Sequence, residues 1–164
     1  KKDGDDRIVV IVGGGPAGLT AAKTLGQRGF KPVLFEKNDH LGGQLYLAAL
    51  PPHKEKLKWA IEDLATAAKK NGAEIRLNTE ATPENIKALN PYAVIDATGG
   101  EAVRPKISGA DRSQVVTVTP ILEGEIKLSN KKVAVIGSGM TGDGKENCPG
   151  NVVSAPSGYP AEVE

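Results

Sequence analysis

Apolar positions along the chain come in two rhythms, and their alternation predicts the elements. Continuous β-branched or aliphatic runs at Ile8–Val12, 33–35 and 93–97 predict strands buried on both faces, and 74–77 alternates in strand fashion. Between them Leu19, Ala22, Leu25 and Gly26 recur at helical spacing, and Gly29 is placed to stop that helix. Leu57, Ile61, Leu64 and Ala68 predict an amphipathic helix over 54–70, ended by Asn71-Gly72. Thr82-Pro83-Glu84-Asn85 reads as an N-cap, with proline in the first helical position, for a short helix to Leu89.

Residues 1–6 read as a solvated tail or a cut linker, and 37–53 as a long connection containing Leu41-Gly42-Gly43-Gln44-Leu45 and Pro51-Pro52. The pattern weakens over 101–130. A second β-branched strand at 132–136 then runs into Gly137-Ser138-Gly139-Met140-Thr141-Gly142, as if the opening signal were repeated. No helical pattern follows, and 143–164, with Pro149, Pro156 and Pro160, reads as loop or disorder. The expected fold class is α/β: a three-layer Rossmann-like domain with a parallel central sheet over 7–128. The truncated start of a second nucleotide-binding domain is expected at 131–142 and a disordered tail at 143–164.

Composition changes this picture little. Among 164 residues, 21 Lys and Arg against 20 Asp and Glu give a net charge of +1, so no strong field points at nucleic acid or an anionic membrane. Aromatic content is 4%, too low for a base-stacking platform. Trp59 falls within the predicted helix and is expected to pack. A single cysteine, Cys148, excludes an internal disulfide, a Cys-x-x-Cys redox pair and a cysteine-built metal cluster. His40 and His53 lie in loops without partner spacing, and locally bonded or solvated rings are expected. With no signal-peptide pattern and no apolar run of membrane length, the expected location is cytoplasmic and no membrane partner is expected.

The chemistry concentrates at 7–36. Gly13-x-Gly15-x-x-Gly18 follows one predicted strand and opens a predicted helix, and Glu36 closes the next strand at close to the fingerprint's spacing of about 20 residues. Each part has a mechanical reason: Gly13 for the tight turn, Gly15 for backbone approach to a pyrophosphate, Gly18 for close helix–strand packing. The helix end offers free N–H donors and a positive dipole to phosphate. Glu36 can accept both ribose hydroxyls and would repel a 2′-phosphate. As a strand-end acid it is expected to be solvated, so that its loss would barely change ligand-free stability. The motif does not separate FAD from NAD, since both present adenosine diphosphate. Leu41-Gly42-Gly43-Gln44 fits either a segment folded back over the pyrophosphate or a plain turn. Asp96-Ala97-Thr98-Gly99 ends a strand where ligands of open parallel sheets sit, although a strand-ending turn explains it as well.

These residues together resemble a known family. Ile-Val-Gly-Gly-Gly-Pro-Ala-Gly at 11–18, Leu-Phe-Glu-Lys at 34–37, Leu-Gly-Gly-Gln-Leu at 41–45, Ala-x-x-Pro-Pro-x-Lys at 48–54 and Ala-Thr-Gly-Gly at 97–100 resemble the flavin half of NADH:flavin oxidoreductases of the old-yellow-enzyme type. The 2,4-dienoyl-CoA and 2-enoate reductases stand nearest, over 7–142. The resemblance implies FAD as cofactor, held by Gly13, Gly15, Pro16, Ala17, Gly18, Glu36, Lys37, Gly42, Gly43, Gln44, Thr98 and Gly99. It assigns no catalytic residue and no metal ligand. In a full-length parent it implies hydride relay from NAD(P)H through FAD, with an FMN barrel and an iron–sulfur cluster domain as partners, towards an enoate or dienoyl substrate.

The family's barrel, cluster cysteines and C-terminal return segment find no match in this sequence, so a fragment without full turnover is expected. The alternative is a non-catalytic NAD- or ADP-binding, or structural, fragment. Gly137, Gly139 and Gly142 match the second, nicotinamide-nucleotide fingerprint. The two glycines and proline of 143–150, and the charge of Asp143, are expected to leave that second site dead.

Overall fold

The computed structural model describes residues 2–100, 106–129, 132–136 and, as backbone, 152–155. The chain divides into two units, Lys1–Ala49 with His53–Glu101, and Leu50–Pro52 with Ala102–Glu164.

The first unit is built on a four-stranded parallel sheet. Strand β1 (Ile8–Val12) leads into helix α1 (Pro16–Gln27), β2 (Lys31–Phe35), short α2 (Gln44–Ala48), α3 (Lys56–Lys70), β3 (Glu74–Arg76), α4 (Pro83–Lys87) and β4 (Ala93–Asp96). The spatial order is β3-β2-β1-β4. Val10 aligns with Val33 on one side and Val94 on the other, and Ile11 with Leu34 and Ile95. Register by twos sends alternate side chains to opposite layers. Ile11 and Leu34 join Leu19 and Ala22 of α1 and Ala68 of α3 in one buried cluster. Val10, Val33 and Phe35 form the other, covered by Ile86 and Leu89 around α4. This is the α/β three-layer, Rossmann-like arrangement that the apolar rhythms predicted.

Helix ends follow the sequence signals. Thr82 caps α4 in a reciprocal box: its hydroxyl oxygen accepts from Asn85 N–H, and the Asn85 side chain accepts from Thr82 N–H. Gly26 permits the close crossing of α1 and α3, because a Cβ there would fall on the Asn71 carbonyl oxygen.

Several expectations need correction. The described part of the expected 1–6 tail is not free: residues 3–6 are docked. Asp3 and Gly4 N–H donate to the Arg28 carbonyl at 3.0 and 2.9 Å, and the Asp3 carboxylate holds the Arg28 guanidinium in a two-pronged pair. Arg7 then stacks over Tyr92 (4.1 Å to the ring centroid) and Phe30 (5.2 Å), tying together the amino ends of β1, β2 and β4. The 37–53 connection contains α2. Strand β2 starts at Lys31, two residues early; Lys31 N–H bonds towards β1, so the Pro32 nitrogen faces the β3 side, where pairing begins only at Val33.

Strand β4, expected to be buried, is one of the two sheet edges among the described strands, with Val94 49% exposed. Trp59 does not pack: it is 63% exposed. In the second unit, α5 (Thr119–Leu122) is followed by a parallel pair, β5 (Val133–Ile136) and β6 (Val152–Ala155). Strand β6 lies inside the segment expected to be loop or disorder. The second fingerprint, at 137–142, falls outside the described residues. No described helix is long and apolar enough to cross a membrane.

Candidate functional site

Three loops meet at the carboxyl ends of the parallel strands. The first leaves β1. Gly13 N–H donates to the Phe35 carbonyl at 2.8 Å, which fixes the turn against β2. Gly13 has φ +107°, and a Cβ there would strike the Ala97 carbonyl. A Cβ on Gly18 would fall on the Gly13 carbonyl oxygen and against Ile11, so α1 can approach β1 this closely only with glycine. At Gly15 the situation reverses: a Cβ would meet nothing within 4 Å. That backbone faces open space, and α1 starts there with no side-chain cap and Pro16 in its first turn. The first intrahelical bond runs from Leu19 N–H to the Gly15 carbonyl, leaving the Ala17 and Gly18 N–H donors at the open helix end.

Glu36 sits where β2 ends. It is only 6% exposed, which corrects the solvated acid expected of a strand end. One carboxylate oxygen accepts from Gly14 N–H at 2.7 Å and the other from Asn38 N–H at 2.9 Å. A carboxylate has about four acceptor positions, so each oxygen keeps one for a further donor. Lys37 follows, exposed.

The second loop, Leu41 to Gln44, folds back onto the first. Gly42 N–H donates to the Gly14 carbonyl at 2.9 Å, and an ideal Cβ on Gly43 would lie 3.3 Å from Gly15 Cα. Gly42, at φ +115°, rests so closely on α3 that a Cβ would hit Ile61 Cδ1 at 2.6 Å. The 41–44 segment therefore lies against the glycine turn.

The third loop leaves β4. Asp96 Oδ1 accepts from both Thr98 N–H (3.0 Å) and the Thr98 hydroxyl (2.7 Å). Those two donors, the backbone one first, hold the Asp96 carboxyl below its ordinary range. Gln44 Nε2 reaches across to the Gly100 carbonyl at 3.2 Å.

The twelve residues that the resemblance implies for FAD thus gather at one end of the sheet. What sequence reasoning missed is the set of residues that lock the loops together: Gly14, Asn38 and Asp96. Gly14 was legible only as the unassigned middle of a glycine triplet. His40 is locally bonded, as expected, to Asp39 (2.7 Å), and its ring lies 3.9 Å from Tyr46. Among the described residues no group of His, Cys, Asp and Glu is arranged to hold a metal.

The family model for pyridine nucleotide-disulphide oxidoreductases matches residues 7–143. An NADH oxidase of Thermoanaerobacter brockii is 43% identical over 137 residues, 82% of this chain and 21% of that protein. A cinnamate reductase of Clostridium sporogenes is 37% identical over 142 residues, 87% of this chain and 21% of that protein. Among solved structures, a 2-naphthoyl-CoA reductase in complex with 2-naphthoyl-CoA superposes with a TM-score of 0.75 at 39% identity, covering 80% of this chain and 20% of the other. The chain spans about a fifth of the length of the curated relatives it matches.

Proposed function

We propose a function from the premise that the chain belongs to the pyridine nucleotide-disulphide oxidoreductase family, as a FAD/NAD-binding domain of the flavin oxidoreductase kind. On that premise we propose that the three-loop cleft binds FAD. The observation that carries the proposal is the pairing of an open backbone at Gly15 with an uncapped α1 end directly beside it. A pyrophosphate uses both, since it is anionic and binds by close approach to backbone N–H donors. In this reading Gly13, Gly15, Pro16, Ala17 and Gly18 surround the pyrophosphate. Glu36 takes the ribose hydroxyls on its two remaining acceptor positions, with Lys37 beside it. Gly42, Gly43 and Gln44 flank the cofactor from one side, and Thr98 and Gly99 from the other.

FAD supplies hydride acceptance from a nicotinamide nucleotide. This chain's residues supply position: donors for the phosphates, an acceptor for the ribose, and loops that exclude solvent. In a longer parent we propose that NAD(P)H is the hydride source and that an FMN barrel and an iron–sulfur domain pass the electrons on. The substrate class proposed is an enoate or dienoyl thioester, supported by the cinnamate reductase and naphthoyl-CoA reductase relatives. A cytoplasmic location, where NAD(P)H is available, belongs to the same proposal. Titration of the purified chain with FAD, followed by flavin fluorescence, tests the reading. Saturable quenching that ADP competes away supports it; fluorescence unchanged at millimolar protein refutes it.

A further inference from the structure

The three loops are joined by a series of hydrogen bonds linked through short stretches of chain. It begins at Glu36, passes through Gly14 N–H, and continues from the Gly14 carbonyl to Gly42. Two residues further along, the Gln44 side chain crosses to the Gly100 carbonyl. On the far side, Asp96 holds Thr98 by two bonds and so fixes the turn that presents Gly100. Only the Gly42-to-Gly14 bond is backbone to backbone, and the crossing is a single exposed amide.

The crossing also has a particular place. The loop of Gln44 is fastened to Gly14, and the loop of Gly100 leaves β4 beside Gly13, where the Ala97 carbonyl abuts the turn. The Gln44–Gly100 bond therefore ties together the two loops flanking the glycine turn. On the FAD-binding reading, a dinucleotide settled on Gly15 would lie beside both of those loops.

We infer that Gln44 and Asp96 form a latch that controls the rate of FAD exchange, with Gln44 as the bolt and Asp96 as the positioning residue that sets its catch. The inference deepens the FAD-binding reading and rests on it. Asp96 has both its mapped bonds within its own turn, so its effect on the ligand runs through Gly100 and Gln44.

Stopped-flow FAD binding and displacement on wild type, Gln44→Ala, Asp96→Ala, Asp96→Asn and the double alanine variant test this. Each single alanine variant is expected to raise the dissociation rate about three- to tenfold, the range one neutral hydrogen bond supplies. The association rate should rise with it, so that Kd moves less than either rate. The double variant should be no faster than the singles, since both open the same latch. Asp96→Asn keeps the Oδ1 acceptor and should restore wild-type rates. Without ligand, Asp96→Ala should also shift the Gln44 side-chain amide resonances.

An effect of Gln44→Ala that Asp96→Ala does not reproduce would overturn the inference, because Gln44 would then act by direct contact alone. Multiplying effects in the double variant, or Gln44 amide resonances unmoved by Asp96→Ala, would overturn it too. Failure of the wild type to bind FAD overturns the functional reading and the gating with it, whereas the ligand-free amide shift decides on its own whether Asp96 sets the Gln44 bond.

Discussion

Replacing Glu36 should damage the fold before it damages any ligand contact. The side chain is 6% exposed and its two oxygens accept from Gly14 and Asn38 at 2.7 and 2.9 Å. A hydrogen bond to a charged group contributes about 1.5–3 kcal/mol. Gly14 is buried, so its N–H loses the bond with no water to take over; Asn38 is exposed and rehydrates. Glu36→Ala is therefore expected to cost about 2–4 kcal/mol without ligand, nearer the lower value for each bond than their full sum. For a unit of roughly 100 residues, each kcal/mol lowers Tm by about 4–8 °C, so a fall of about 8–32 °C is expected. Glu36→Gln should not rescue it: the amide nitrogen would face one of the two N–H donors, and only one bond can re-form. The assay is thermal and urea unfolding of ligand-free protein, monitored by far-UV circular dichroism. A Tm of Glu36→Ala within about 2 °C of wild type would show that the two bonds do not hold the turn.

The second and third fingerprint glycines separate fold from binding. Gly15→Ala meets no protein atom within 4 Å and should leave Tm unchanged while FAD affinity falls at least tenfold; equal affinity would mean that no ligand approaches Gly15. Gly18→Ala drives a Cβ into the Gly13 carbonyl and should cost about 1–3 kcal/mol of stability, which urea midpoints will measure. Trp59 emission should be red-shifted and freely quenched by acrylamide; blue-shifted, protected emission would contradict its exposure. The Arg28 pair, chiefly its hydrogen bond, holds the Asp3 carboxyl below its ordinary value of 3.8. The stability it contributes is then complete above that value and lost as pH falls through the lower folded one. Asp3→Asn should accordingly reduce wild-type stability at neutral pH and flatten its acid limb, as read by unfolding midpoints across pH; parallel acid limbs would show that the pair contributes nothing.

How much of this was legible in the sequence depends on the range of the interaction. The β1–α1–β2 unit was read because its signals are local: a β-branched run, glycines at fixed offsets, proline at the helix start. The exposure of Trp59 was also present locally and was misread. Trp59 lies two positions from both Leu57 and Ile61, about 200° around the helix from the face those residues mark. The periodicity that predicted α3 thus already placed the indole outside. Strand β4 misled for the opposite reason. Ala-Val-Ile carries the composition of a central strand, but whether an edge is covered depends on elements that no local pattern specifies.

The docking of 1–6 and the burial of Glu36 were invisible because each rests on partners distant in sequence. Asp3 needs Arg28, and Glu36 needs Gly14, whose N–H carries no sequence signature. The fingerprint treats Gly14 as a free position. Here a Cβ on Gly14 would meet Leu41 Cδ2 at 2.6 Å and Glu36 Oε2 at 2.9 Å. A glycine outside the motif is therefore held in place by the acid inside it and by the second loop folding back. On the FAD-binding reading proposed above, the two oxygens that organise the turn are also the ones that would meet a ribose. Stability and affinity are coupled at this residue, and substitutions there cannot be read as binding effects until the ligand-free protein has been shown to be folded.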